Sequence, residues 1–145
     1  MVRCAVYSIL FLCLTACSAG ISKKPVSLDS FFDDNSSKVW LIEKVELNNQ
    51  NFASQKVGLK DVMIFHKSGK VQIQALNSLG EKPGKVGYYF IDSEAKTMRI
   101  EFGLLKEYWD FKITELSLEK VILTPQNKSD LNYQLTLIPL PEFNF

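Results

Sequence analysis

Leu14-Thr15-Ala16-Cys17 is the stretch of this chain whose residue types and order most directly prescribe a chemistry. Small residues at Thr15 and Ala16 suit a signal peptidase, and the Cys17 thiol is a nucleophile able to carry a diacylglycerol. Met1-Val2-Arg3 supplies a positive start, and Ala5 to Leu14 form an apolar run. That run falls short of the roughly 20 residues that cross a bilayer, and it has the form of a signal peptide. Ordinary signal peptides end in a small-residue site such as A-x-A. Leucine three places before the cut and cysteine directly after it instead predict cleavage between Ala16 and Cys17, with lipid on Cys17.

Cys4 and Cys13 would leave with the signal, so the mature chain keeps only Cys17. A domain beyond it must be stable without disulfides. Two or three acyl chains anchor durably, since each buried CH₂ contributes roughly 0.8 kcal/mol. The motif resembles the lipoboxes of Gram-negative envelope lipoproteins. Ser18, which is not Asp, implies by that resemblance an outer-membrane destination. No acidic cluster follows Cys17, which implies a periplasm-facing position. The expected organisation is a signal over residues 1–16, a lipidated tether over 17–26 and one domain over 27–145.

Little else in the sequence suggests reactive chemistry. His66 is the only histidine, and a metal centre draws on several ligands, so no metal and no cofactor is expected. A Ser-His-Asp set can be scattered along a chain, but no nucleophile elbow is present. Asp33/Asp34 and Glu43/Glu46 lie in polar contexts and read as surface charge, without the contrasting environments that separate an acid from a base. Gly80-Glu81-Lys82-Pro83-Gly84 lacks the lysine-Ser/Thr ending of a phosphate cradle. The 16 acidic residues balance the 17 basic ones once Arg3 is removed, so the electrostatic footprint of nucleic-acid binding is missing. The sequence predicts a non-enzymatic protein.

The elements that must carry any surface or pocket are strands. Apolar residues alternate or run in β-branched and aromatic patches between Gly, Asn, Asp, Ser and Pro. The expected strands are Lys38–Leu47, Asp61–His66, Lys70–Leu76, Lys85–Ile91, Thr97–Phe102, Glu107–Ile113, Leu116–Thr124 and Asn132–Ile138. A helical turn over Ser27–Asp34, capped by Ser27 or Asp29, precedes them. Met98/Ile100/Phe102, Trp109/Phe111/Ile113 and Tyr133/Leu135/Leu137 alternate with polar partners, as in antiparallel sheets wet on one face.

Connector lengths favour one topology. Lys67–Gly69, Asp92–Lys96 and Thr114-Glu115 are tight, whereas Asn48–Lys60, Asn77–Gly84 and Pro125–Leu131 are long. Gly103–Lys106 is intermediate. In an up-and-down meander the even connections gather at one end and the odd ones at the other. The expectation is therefore an all-β, small antiparallel barrel of about eight strands with one loop-rich mouth. Trp40, Phe65, Phe90, Phe102, Trp109, Phe111 and Tyr133 are the aromatics expected to fill it or to line a pocket. Tyr88 and Tyr89 face opposite ways, so one should be exposed and could join Tyr108 in an interface. Phe145 ends the chain like an outer-membrane barrel, but several strands fall short of the roughly 9–11 residues that span a membrane. Pro139 and Pro141 would also interrupt the last strand.

Val39-Trp40-Leu41-Ile42, the hairpin Ile64–Val71 and the segment Trp109–Leu118 together resemble the lipocalin-like domains of Gram-negative lipoproteins. The aromatic interior and the long loops gathered at one mouth point to a small apolar or amphipathic ligand taken there. The competing expectation is an accessory lipoprotein docked on an outer-membrane protein complex, or an inhibitor of an envelope hydrolase.

Overall fold

Alternating apolar positions draw the chain into nine strands: β1 (Ser37–Leu47), β2 (Gln50–Asn51), β3 (Asp61–His66), β4 (Lys70–Ala75), β5 (Lys85–Asp92), β6 (Thr97–Phe102), β7 (Glu107–Leu116), β8 (Val121–Pro125) and β9 (Gln134–Pro139). One helix, α1 (Leu28–Asp33), precedes them. The computed structural model describes residues 27–81 and 83–141. Ala16, Cys17 and the tether therefore lie outside the described residues, as does Phe145. All strand pairs are antiparallel, and β1 pairs with β3 on one side and β9 on the other. Eight strands close into an up-and-down barrel, with β2 added as a short flap on β1.

The alternation of loop lengths holds except at Gly103–Lys106, which is as short as the turns at the opposite end. Tight turns at Lys67–Gly69, Ser93–Lys96 and Ser117–Lys120 share one end, and the long connections share the other. Most strand ends fall within a residue or two of the sequence expectation, and the largest difference lies between β7 and β8. Strand β7 runs on through Thr114-Glu115 to Leu116, and the register slips between Ile113 and Glu115. A β-bulge at Thr114, not a turn, breaks the alternation there. The turn follows at Ser117–Lys120, where the Ser117 backbone N–H donates to the Lys120 carbonyl at 2.9 Å.

Helix α1 closes the tight-turn end. Ser27 Oγ caps it by accepting from the Ser30 N–H, and Asp34 ends it in the left-handed region at φ 52°. Six residues are too few to hold a helix in water, so its stability comes from packing. Phe32 is completely buried between Trp40 and Phe65, with ring centroids 5.9 and 5.2 Å away. Trp40 Nε1 donates to the Phe32 carbonyl at 3.0 Å. Asp33 follows, almost fully buried, with Tyr89 Oη 3.0 Å from its Oδ2 and equally far from the His66 carbonyl.

The barrel interior is occupied by side chains. Trp40, Phe65, Phe102, Phe111, Met63, Met98, Ile100 and Leu123 are fully buried. Eight strands enclose just such a width. Gly87 faces inward, and a Cβ there would lie 2.7 Å from the Glu101 carbonyl oxygen and 2.8 Å from the Phe102 ring. The missing side chain lets that ring lie against the β5 backbone.

The buried phenol of Tyr89 is expected to make this plug sensitive to alkali. Burial, then the hydrogen bond to Asp33 and its negative charge, raises the Tyr89 pKa far above 10. A raised folded value means the contribution is complete below the unfolded value of about 10 and is lost as pH rises beyond it. Tyr89→Phe is expected to flatten that alkaline loss while costing about 1–3 kcal/mol at neutral pH, because Asp33 keeps a buried oxygen without its donor. Denaturant midpoints measured from neutral pH to about 11 test both parts. A wild-type profile that stays flat above about 10 would refute the linkage.

Candidate functional site

Filling the interior leaves the outer surface to do any recognition. The large apolar side chains exposed among the described residues fall into three groups. They are Val86, Tyr88, Phe90, Leu104, Leu105 and Tyr108 on the β5–β7 face, Phe52, Val57 and Leu59 at the mouth, and Leu116 and Leu118 at the tight-turn end.

The β5–β7 face is the most continuous. Lys70, Tyr88, Glu101 and Tyr108 form one cross-strand row from β4 to β7. Phe90, Arg99 and Asp110 form the next. Arg99 grips Asp110 with Nε to Oδ1 at 2.7 Å and Nη2 to Oδ2 at 3.3 Å. Ser129 Oγ in the β8–β9 connection accepts from the Asp110 N–H at 3.0 Å, pinning that loop to the edge of the face. Tyr88 and Tyr108 therefore flank Glu101 on a rigid sheet. At the top of the same hairpin, Leu104 is completely exposed and Leu105 largely so. Monomers seldom leave so many neighbouring apolar groups in water unless they are used.

The mouth carries two polar features. Lys85 and Glu107 face inward and meet at 2.6 Å. The Lys85 ammonium lies 4.2 Å from the Phe102 ring centre and 4.7 Å from that of Trp109, and Trp109 Nε1 donates to Glu107. This contact with Lys85 holds the Glu107 carboxyl below the usual carboxylate range. Under the β1–β3 connection at the same end, a groove of about 440 Å³ is lined by Ile42, Val45, Phe52, Ala53, Ser54, Leu59, Lys60 and Asp61. Burial pushes the Asp61 carboxyl up, and Lys60 Nζ donates to the Glu43 carbonyl at 2.9 Å.

Of the aromatics singled out in the sequence, Trp40, Phe65, Phe102, Trp109 and Phe111 lie in the interior cluster. Phe90 does not: it is 55 % exposed on the outer face, and Tyr89 takes the inward place. Three consecutive aromatics hide the phase of β5, and inward-facing Gly87 fixes it. Tyr133 is a rim residue, half-buried and edge-on to Phe52 at 5.6 Å. His66 Nδ1 is 2.6 Å from Ser37 Oγ, and its Nε2 is buried without a partner. No three His, Cys, Asp or Glu side chains gather at metal-binding distance among the described residues. The Leu104-Leu105 pair was missed in the sequence, where an apolar pair inside a predicted turn is its signal.

Comparison of the chain with protein-family models, with curated proteins and with solved structures returned no match.

Proposed function

We propose that this chain is a lipid-tethered, non-enzymatic docking lipoprotein of the outer membrane, facing the periplasm and binding an envelope protein through its β5–β7 face. The observation that carries the reading is the pairing of a filled interior with one continuous exposed aromatic face. Aromatics are enriched in protein interfaces, where tyrosine supplies contact area at low entropic cost. The partner suited to this face is apolar and carries a basic side chain to meet Glu101 between the two tyrosines. A photoreactive residue at Tyr88 in cells should give one adduct of defined mass, weakened by Phe90→Glu, and one at Lys44 on β1 should give none. Identical adducts from both positions, or none from Tyr88, would refute the docking reading.

The mouth groove favours a second reading, in which a small amphipathic ligand lies across the rim. Its volume is within the range of small-molecule sites. Native mass spectrometry of the gently extracted protein, looking for a bound mass lost in Phe52→Ser, separates this from docking.

A further inference from the structure

We infer that the tight-turn end of the barrel rests on the lipid surface, with Leu116 and Leu118 in the interfacial layer and the long-loop rim turned away. This rests on the reading of Cys17 as the lipid-bearing residue, and it assigns that anchor an orientation. The chain joins the barrel at Ser27, the cap of α1, and α1 closes the tight-turn end. Ser27 stands ten residue steps along the chain from Cys17. Relaxed, such a tether spans roughly 17 Å; stretched straight, it reaches about 33–36 Å. Strand β1 has 11 residues, which at ~3.3 Å each and a tilt near 40° make the wall about 28 Å tall. Seating the far rim on the membrane would hold the tether almost fully extended. Seating the near end leaves it slack.

The near end has the surface such a contact needs. Leu118 is 78 % exposed at the tip of the β7–β8 turn, and Leu116 beside it is 43 % exposed. A groove of about 640 Å³, lined in part by Leu28, Ile113 and Leu116, joins that turn to the start of α1 where the tether arrives. The groove and the two leucines thus lie at the same end of the barrel as Ser27, the first described residue after the tether. Charge contributes little. Lys120 is paired with Glu115 at 3.0 Å, Lys112 Nζ donates to the Ala95 carbonyl at 2.6 Å, and Lys67 and Lys96 in the neighbouring turns share that end with Asp34, Asp92 and Glu94. Contact through apolar side chains predicts indifference to anionic lipid, unlike a polybasic foot.

The test uses the full chain, purified from membranes and placed in vesicles of neutral phosphatidylcholine. Mass spectrometry of the Cys17 peptide first reads the acyl groups. Nitroxide labels at Glu119→Cys and Lys106→Cys then report collisions with oxygen dissolved in the bilayer. The expected result is several-fold greater exposure to oxygen at 119 than at 106, unchanged by added anionic lipid and lost in a Leu116→Ser, Leu118→Ser double variant. An acylated chain whose labels are equal, or whose 106 label is the one in lipid, overturns the orientation and leaves the anchor standing. A greater exposure at 119 that appears only with anionic lipid overturns the apolar contact. A Cys17 peptide without acyl mass overturns the anchor and the orientation together.

Discussion

Phe32→Ala is expected to lower the stability of the barrel by roughly 3–5 kcal/mol, the range for a fully buried phenylalanine whose site cannot collapse. The ring lies between Trp40 and Phe65, both fixed by strand pairing. The gap would therefore persist. The loss also removes what holds α1, since a six-residue helix has no stability of its own. Its release would free the Trp40 indole N–H and leave the buried Asp33 without its place against Tyr89. Urea midpoints for Phe32→Ala and for the half-buried Phe31→Ala measure the difference. A loss below about 1 kcal/mol for Phe32→Ala would mean that α1 is not part of the cooperative unit.

Gly84→Ala is expected to cost about 2–3 kcal/mol although it adds one methyl group to a loop. A Cβ at Gly84 would stand 2.0 Å from the Ile73 carbonyl oxygen and 2.6 Å from Gln74 Cβ. These are backbone and near-backbone atoms of β4, and they cannot swing aside as a side-chain tip can. The strands must part where Ile73 pairs with Lys85, at the end of the β4–β5 ladder. Lys85 would then be drawn from Glu107 and the two rings beneath its ammonium. Gly103→Ala is the matched control, because a Cβ there meets nothing within 4 Å; it should stay within about 0.5 kcal/mol of the parent. Equal midpoints for both variants would show that β4 and β5 do not approach so closely at Gly84.

Most of the barrel was legible because alternation and turn residues agree. Trp109/Phe111/Ile113 and Met98/Ile100/Phe102 have one phase each, and both face the core as expected. Legibility failed where a local signal was missing or doubled. At Thr114 the odd gap between Ile113 and Leu116 reads equally as a turn or a bulge, and Ser117–Lys120 holds no Gly, Pro, Asn or Asp to mark the true turn. The flap strand β2 escaped because two residues carry no period. Its turn was written in Asn48-Asn49, at φ 52° and 64°, the pair of left-handed residues that a two-residue hairpin requires. The candidate docking face was half legible. The parity of Tyr88 and Tyr89 placed one tyrosine outside beside Tyr108, but only the register shows Glu101 between the two exposed tyrosines. Pocket or solid core depends on how closely side chains from eight strands meet, and no segment contains that information by itself.

The pairing of β1 with β9 has a consequence in time rather than in space. Trp40 sits opposite Pro139, and Glu46 opposite Gln134, so the longest strand waits for the last. Every other wall of the barrel joins neighbours in sequence and can form as the chain emerges. The seam cannot. Until β9 arrives, β1 and β8 are open edges, the state in which sheets pair with the wrong chain. The interval between the appearance of the first strand and the last is therefore when this protein most needs a chaperone, and once the seam closes that exposure ends.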